Sequence, residues 1–65
     1  MSYAVPLKIR TLAECFCIVD ATGQELVYVY FEDIESRRIA MWRITKANAL
    51  TIAQITARAL TAGAG

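Results

Sequence analysis

The sequence predicts an α+β fold, an antiparallel β-meander of two or three strands packed against a C-terminal helix. Three observations predict it. Two runs rich in β-branched and aromatic residues, Cys15–Val19 and Leu26–Phe31, flank the turn-forming Asp20-Ala21-Thr22-Gly23. The stretch from Lys46 to Leu60 lacks Gly and Pro and is rich in Ala and Leu. The chain has 65 residues, enough for one core and no second module.

The elements follow in order. Met1 to Val5 read as a flexible arm, and residues 62–65 as a flexible tail. Pro6 suits a strand entrance because it has no N–H to offer a ladder. Leu7 and Ile9 alternate with Lys8 and Arg10, the period of a strand, and the two cations suit an exposed sheet edge.

The next two strands form a hairpin. Asp20 can accept from its own backbone two residues on, and Gly23 can take positive φ, so a type I turn with a glycine bulge fits the loop. Pairing Asp20 with Gln24 would place Phe16, Ile18, Leu26, Tyr28 and Tyr30 on one face. Cys15, Cys17, Val19, Val27, Val29 and Phe31 would form the other. Neither face alternates with polar residues, so two apolar faces need covers.

The helix supplies one cover. Thr45 is a good N-cap, the polar positions Thr51, Gln54, Arg58 and Thr61 form a narrow stripe, and the helix is expected to end at Gly63. Between hairpin and helix, Glu32, Asp33 and Glu35 precede Arg37, Arg38 and Arg43, which suits one or two helical turns aligned with the dipole. The alternation of Ile39 and Met41 with Ala40 and Trp42 also fits a strand.

Size makes a monomer marginal. For 7.2 kDa the extended and folded surfaces scale to about 10,400 and about 4,100 Å². If ~60% of the difference is apolar, burial contributes about 95 kcal/mol at ~25 cal/mol per Å². Ordering the chain costs about the same at roughly 1.5 kcal/mol per residue. Small chains close such a gap with disulfides, metals or partner subunits. Cys15 and Cys17 are the only cysteines, and two residues apart in a strand they make a strained bridge. There is no histidine, so two thiolates cannot complete a zinc site. Oligomerisation is the support left open.

Composition narrows the function classes. The hydrophobic fraction of 57% is above the usual 45–50%, and the net charge is +1. That charge gives little pull on nucleic acid or membrane. No signal-peptide core or membrane-length apolar run is present, and reduced cysteine usage suits a cytoplasmic protein. Catalysis and cofactor binding have little to build on: no histidine, no nucleophile elbow, no glycine-rich phosphate loop. Glu32 and Asp33 are adjacent on a strand end and point to opposite faces, which spoils a carboxylate dyad. The chain is therefore expected not to be an enzyme and to hold no cofactor or metal.

Two binding classes stay in view. Self-association fits the two-faced hairpin and the broad apolar helix, and Tyr28, Tyr30, Phe31, Met41 and Trp42 are candidate interface residues of types enriched in contact cores. A homo-oligomer is expected, a dimer first, with a protein partner as the variant of the same idea. The alternative is a nucleic-acid-binding regulator using Arg37, Arg38, Arg43 and Lys46, with tyrosines or Trp42 stacking on bases. The acids beside those arginines weigh against it, because they cancel phosphate attraction.

The run Asp20-Ala21-Thr22-Gly23-Gln24-Glu25-Leu26-Val27-Tyr28-Val29-Tyr30-Phe31-Glu32-Asp33 resembles a pattern in small uncharacterised alphaproteobacterial proteins. In these, a D-A-x-G-x-x-L-x-Y-V-Y-F-E-D hairpin leads through a paired-arginine segment into a helix. Arg37-Arg38 and Arg43-Ile44-Thr45 stand in the corresponding places, and the likeness spans roughly residues 14 to 60. It departs at Asn48, where the pattern has the glutamate of a capping box, and at Trp42, where it has a basic residue. The resemblance implies the hairpin and the helix and assigns no residue a role.

Overall fold

A computed structural model describes residues 2–64. Met1 and Gly65, the outer ends of the two segments expected to be flexible, lie outside the described residues. The elements run β1 (Lys8–Thr11), β2 (Cys15–Val19), β3 (Glu25–Tyr30), α1 (Glu35–Met41) and α2 (Lys46–Ala64). The strands form a three-stranded antiparallel meander in the order β1-β2-β3, and α2 packs across it. The fold is α+β, as the sequence predicts.

Asp20 organises the hairpin. Its Oδ1 accepts from the N–H of Thr22 and of Gln24, each at 2.9 Å, and from the Thr22 hydroxyl at 2.6 Å. Gly23 N–H donates to Asp20 O, and Gly23 sits at φ 93°, a region that favours glycine. Asp20 also reaches outside the hairpin: Ala4 N–H donates to its Oδ2, and Ala21 N–H donates to Ala4 O. Tyr3 donates to the Leu60 carbonyl of α2, so the segment before Pro6 bonds to both ends of the fold.

The face assignment changes. Asp20 N–H does bond Gln24 O, but the ladder then shifts between Ile18 and Val19. Val19 opposes Glu25 and Ile18 opposes Val27, which leaves Leu26 without an opposite residue. This bulge moves β3 by one position, and a one-residue slip exchanges the faces. Val27, Val29 and Phe31 therefore join Phe16 and Ile18 in the core, and Tyr28 and Tyr30 join the cysteines outside.

The inner face carries the core. Phe16, Ile18 and Phe31 pack with Ala49 and Ala53 of α2, and Leu7, Ile9, Val27, Val29, Ile44 and Ala57 close the edges. Ala49, Ala53 and Ala57 recur every four residues, a small-residue face that lets the helix settle close to β2. Thr45 Oγ1 accepts from Asn48 N–H as the expected cap. Asp33 Oδ1 accepts from Lys46 N–H at 2.9 Å and adds a negative charge at the helix start. The helix continues through Gly63 to Ala64, one residue past the expected end.

The middle segment takes the helical form, and Ile39 to Trp42, whose alternation also fits a strand, make no strand. Glu35–Met41 is helical, and Ile44 makes a parallel bridge beside Phe31, with Glu32 N–H donating to Ile44 O. Between them, Trp42 stands at φ 57°. Trp42 N–H donates to Ile39 O and Arg43 N–H to Arg38 O, the paired bonds of a Schellman ending. Glycine usually holds that left-handed position; here a tryptophan does.

Candidate interaction surface

Two neighbouring surfaces lack a cover. The first is the outer sheet face. Lys8 and Arg10 of β1, Cys15, Cys17 and Val19 of β2, and Glu25, Tyr28 and Tyr30 of β3 share it. Among the described residues no helix lies over it, since α2 occupies the opposite side with the core. The Tyr28 and Tyr30 rings stack at 6.3 Å with 25° between planes, and both are about half exposed. Arg43 places its guanidinium 4.9 Å from the Tyr30 centroid and pairs with Glu14 at 3.7 Å. The tyrosines and Arg43 thus form one aromatic and cationic row.

Under that row the cysteines are buried and free. Cys17 faces Arg10 on one side and Tyr28 on the other, so long neighbouring side chains shield it. Burial pushes the Cys17 thiol up, and Glu25, with Oε2 3.7 Å from Sγ, pushes the same way. A thiol held protonated and covered suits packing better than nucleophilic attack. Hydrogen bonding with Glu25 pushes the Tyr28 phenol up to about 12.

The second surface belongs to α1 and its ending. No residue of α1 is buried. Ile39 is 69% exposed and Trp42 95%, with Ile34 and Met41 also open. Of the residues expected to form an interface, Tyr28 and Tyr30 come together, and Met41 and Trp42 precede Arg43, which touches Tyr30. Phe31 does not join them. It lies in the core with its ring centroid 5.1 Å from that of Phe16, because the bulge turns it inward.

The basic residues do not converge on one open site. Arg37 pairs with Glu32 at 3.2 Å. Arg38 donates to the carbonyls of Glu32 and Asp33, and so ties α1 to the end of β3. Arg43 is held by Glu14 and Tyr30, and Lys46 lies 5.5 Å over the Phe31 ring. Glu32 Oε1 and Arg43 Nη1 are buried with ion-pair partners but no well-directed hydrogen bond. A phosphate would compete with carboxylates for two of the four cations.

Sequence reasoning missed Ile34 and Ile39 as exposed apolar groups and Glu25 as the partner of Tyr28. The signal for Glu25 is its acidic side chain at the start of an otherwise apolar strand. A groove of about 430 Å³ between Leu7, just before β1, and the Ala57, Arg58, Thr61 and Ala62 stretch of α2 offers a single cation and no converging polar set. Among the described residues, no group of three or more His, Cys, Asp or Glu could hold a metal ion. Among the described residues, no helix is long and apolar enough to cross a membrane. No protein-family model, curated protein or solved structure matches the chain.

Proposed function

We propose that this chain is a small protein-interaction module that acts as a homo-oligomer, with a dimer the first form, through the patch around Tyr28, Tyr30, Met41 and Trp42. One observation carries the reading: α1 buries none of its residues and ends in a tryptophan that is 95% exposed. An isolated helix of 7 residues is unstable in water, since stable ones need about 12–15. In the monomer Ile39 stays 69% exposed and Met41 41%. Against a partner they would be desolvated, and aromatic anchors dominate contact energies.

The left-handed conformation at Trp42 costs roughly 1–2 kcal/mol. It also projects the indole away from the fold, a placement suited to filling a pocket on another molecule.

Solution mass by light scattering over a dilution series, at low and high salt, tests the proposal. A mass above one chain that survives salt supports an apolar contact. A single-chain mass at every concentration contradicts it.

A further inference from the structure

We infer that α2 carries a second self-association surface, on which another copy of the chain packs antiparallel along the seam Asn48, Ile52, Ile55, Ala59 and Ala62. The inference deepens the self-association reading and uses a surface separate from the tyrosine and tryptophan patch.

Spacing defines the seam. These five residues recur at intervals of four, three, four and three. That is the pattern of a helix face meeting another helix. All five are exposed, whereas Ala49 and Ala53 are buried against the sheet. Ile52 and Ile55 stand 45% and 54% open. No charge lies on the seam, and α2 contains no acidic residue at all.

The neighbours on the helix make no demand on a partner. Thr51, Thr56 and Thr61 donate their hydroxyls to the carbonyls of Ala47, Ile52 and Ala57. The seam is therefore apolar apart from Asn48.

Its shape selects the orientation. The bulky residues lie toward the N-terminal half and the small ones toward the C-terminal half. Two copies related by a two-fold axis at Ile55 set Ile52 against the partner's Ala59 and Asn48 against the partner's Ala62. Asn48 and Ile52 each meet an alanine and Ile55 meets its own copy on the axis, which allows close packing along four turns. A parallel pair would crowd isoleucines at one end and leave a gap at the other. The antiparallel pair also opposes the two helix dipoles favourably.

The test is disulfide trapping combined with solution mass, on the full chain. Ile55→Cys is expected to give a covalent dimer under mild oxidation, because the two-fold brings this position against itself. Ile52→Cys alone is expected not to cross-link, whereas Ile52→Cys combined with Ala59→Cys should. Two turns of helix, about 10 Å, separate those positions within one chain, so that link can only join two chains. The native cysteines are buried and stay out of the reaction. In the mass experiment, Ile55→Glu should raise the dissociation constant of this contact at least tenfold, and Gln54→Glu, about a third of a turn away from the seam, should leave it unchanged. Circular dichroism of Ile55→Glu should match the parent, since the side chain is half exposed. Ile52→Cys linking to itself as fast as Ile55→Cys would overturn the antiparallel arrangement. An assembly unaffected by Ile55→Glu would overturn the seam while leaving the tyrosine and tryptophan patch standing. A monomer at all concentrations would overturn both.

Discussion

The two faces of the sheet are made from alternate residues of the same strands, and they reach closure in different ways. On the inner face, Phe16, Ile18, Val27, Val29 and Phe31 meet the alanines of α2. On the outer face, Cys15 and Cys17 are equally buried although no element crosses them. Their cover is side chains lying across the ladder, Arg10 from one neighbour strand and Tyr28 from the other. The cover is itself half exposed. Burial of a central strand thus does not imply a closed face: the inner side is sealed by a packed helix, the outer by side chains that a partner could cover in turn.

The largest contrast is expected from truncation. Phe16→Ala should cost about 3–5 kcal/mol, because it opens a cavity under a rigid helix. Denaturant midpoints would show it, and the loss is comparable to the whole stability of a chain this small. Tyr30→Ala on the outer face should barely move the midpoint of the isolated chain. If both substitutions cost the same, the outer face is as tightly packed as the inner and the comparison fails.

Association should show the reverse order. Trp42→Ala or Tyr30→Ala should weaken assembly by about 2 kcal/mol, roughly thirtyfold in Kd, as anchors do. Sedimentation or light scattering at graded concentration reads the change. An unchanged Kd in both variants removes these residues as anchors.

Trp42 permits a sharper separation. Trp42→Gly should lose the same association as Trp42→Ala, yet leave the folded chain about 1 kcal/mol more stable than the alanine variant. The gain comes from the left-handed φ of 57°, and thermal melts of the two variants measure it directly. Equal melting points would show that the position carries no strain.

Titration gives the smallest effects. Asp20 is held at about 2, below its ordinary 3.8, first by the Thr22 hydroxyl and then by backbone N–H groups. Its depressed value stabilises the fold above pH ~4, and that support is lost as pH falls toward 2. Asp20→Asn should flatten the acid limb of a stability profile over that window. Tyr28 lies on the opposite side: its raised value favours the neutral phenol, so its contribution is present below pH ~10 and lost as pH rises toward 12. Glu25→Gln should return the Tyr28 phenol toward 10, as followed by phenolate absorbance.

Much of this fold was legible in the residues. The Asp20 to Gly23 loop, the Thr45 cap and the strand order all follow from local chemistry that the structure repeats. The faces were not legible, because a bulge at Leu26 has no signature in a strand that is apolar at nearly every position. Phe31 was misplaced for the same reason. The helical turn after β3 was readable from its charge order and Met41 as a candidate contact residue, whereas the exposure of Ile34 and Ile39 depends on what the fold places over them. The arginines were recognisable as a cluster, but their partners, Glu14 across the loop and Glu32 at the strand end, depend on the fold.

The central claim is that the uncovered surfaces are covered by other copies of the chain. Light scattering from micromolar to millimolar protein, at low and at high salt, tests it most directly. The account predicts a mass above a single chain that grows with concentration and persists in salt. A mass of one chain throughout would contradict it, and the tyrosines, Trp42 and the α2 seam would then be ordinary surface.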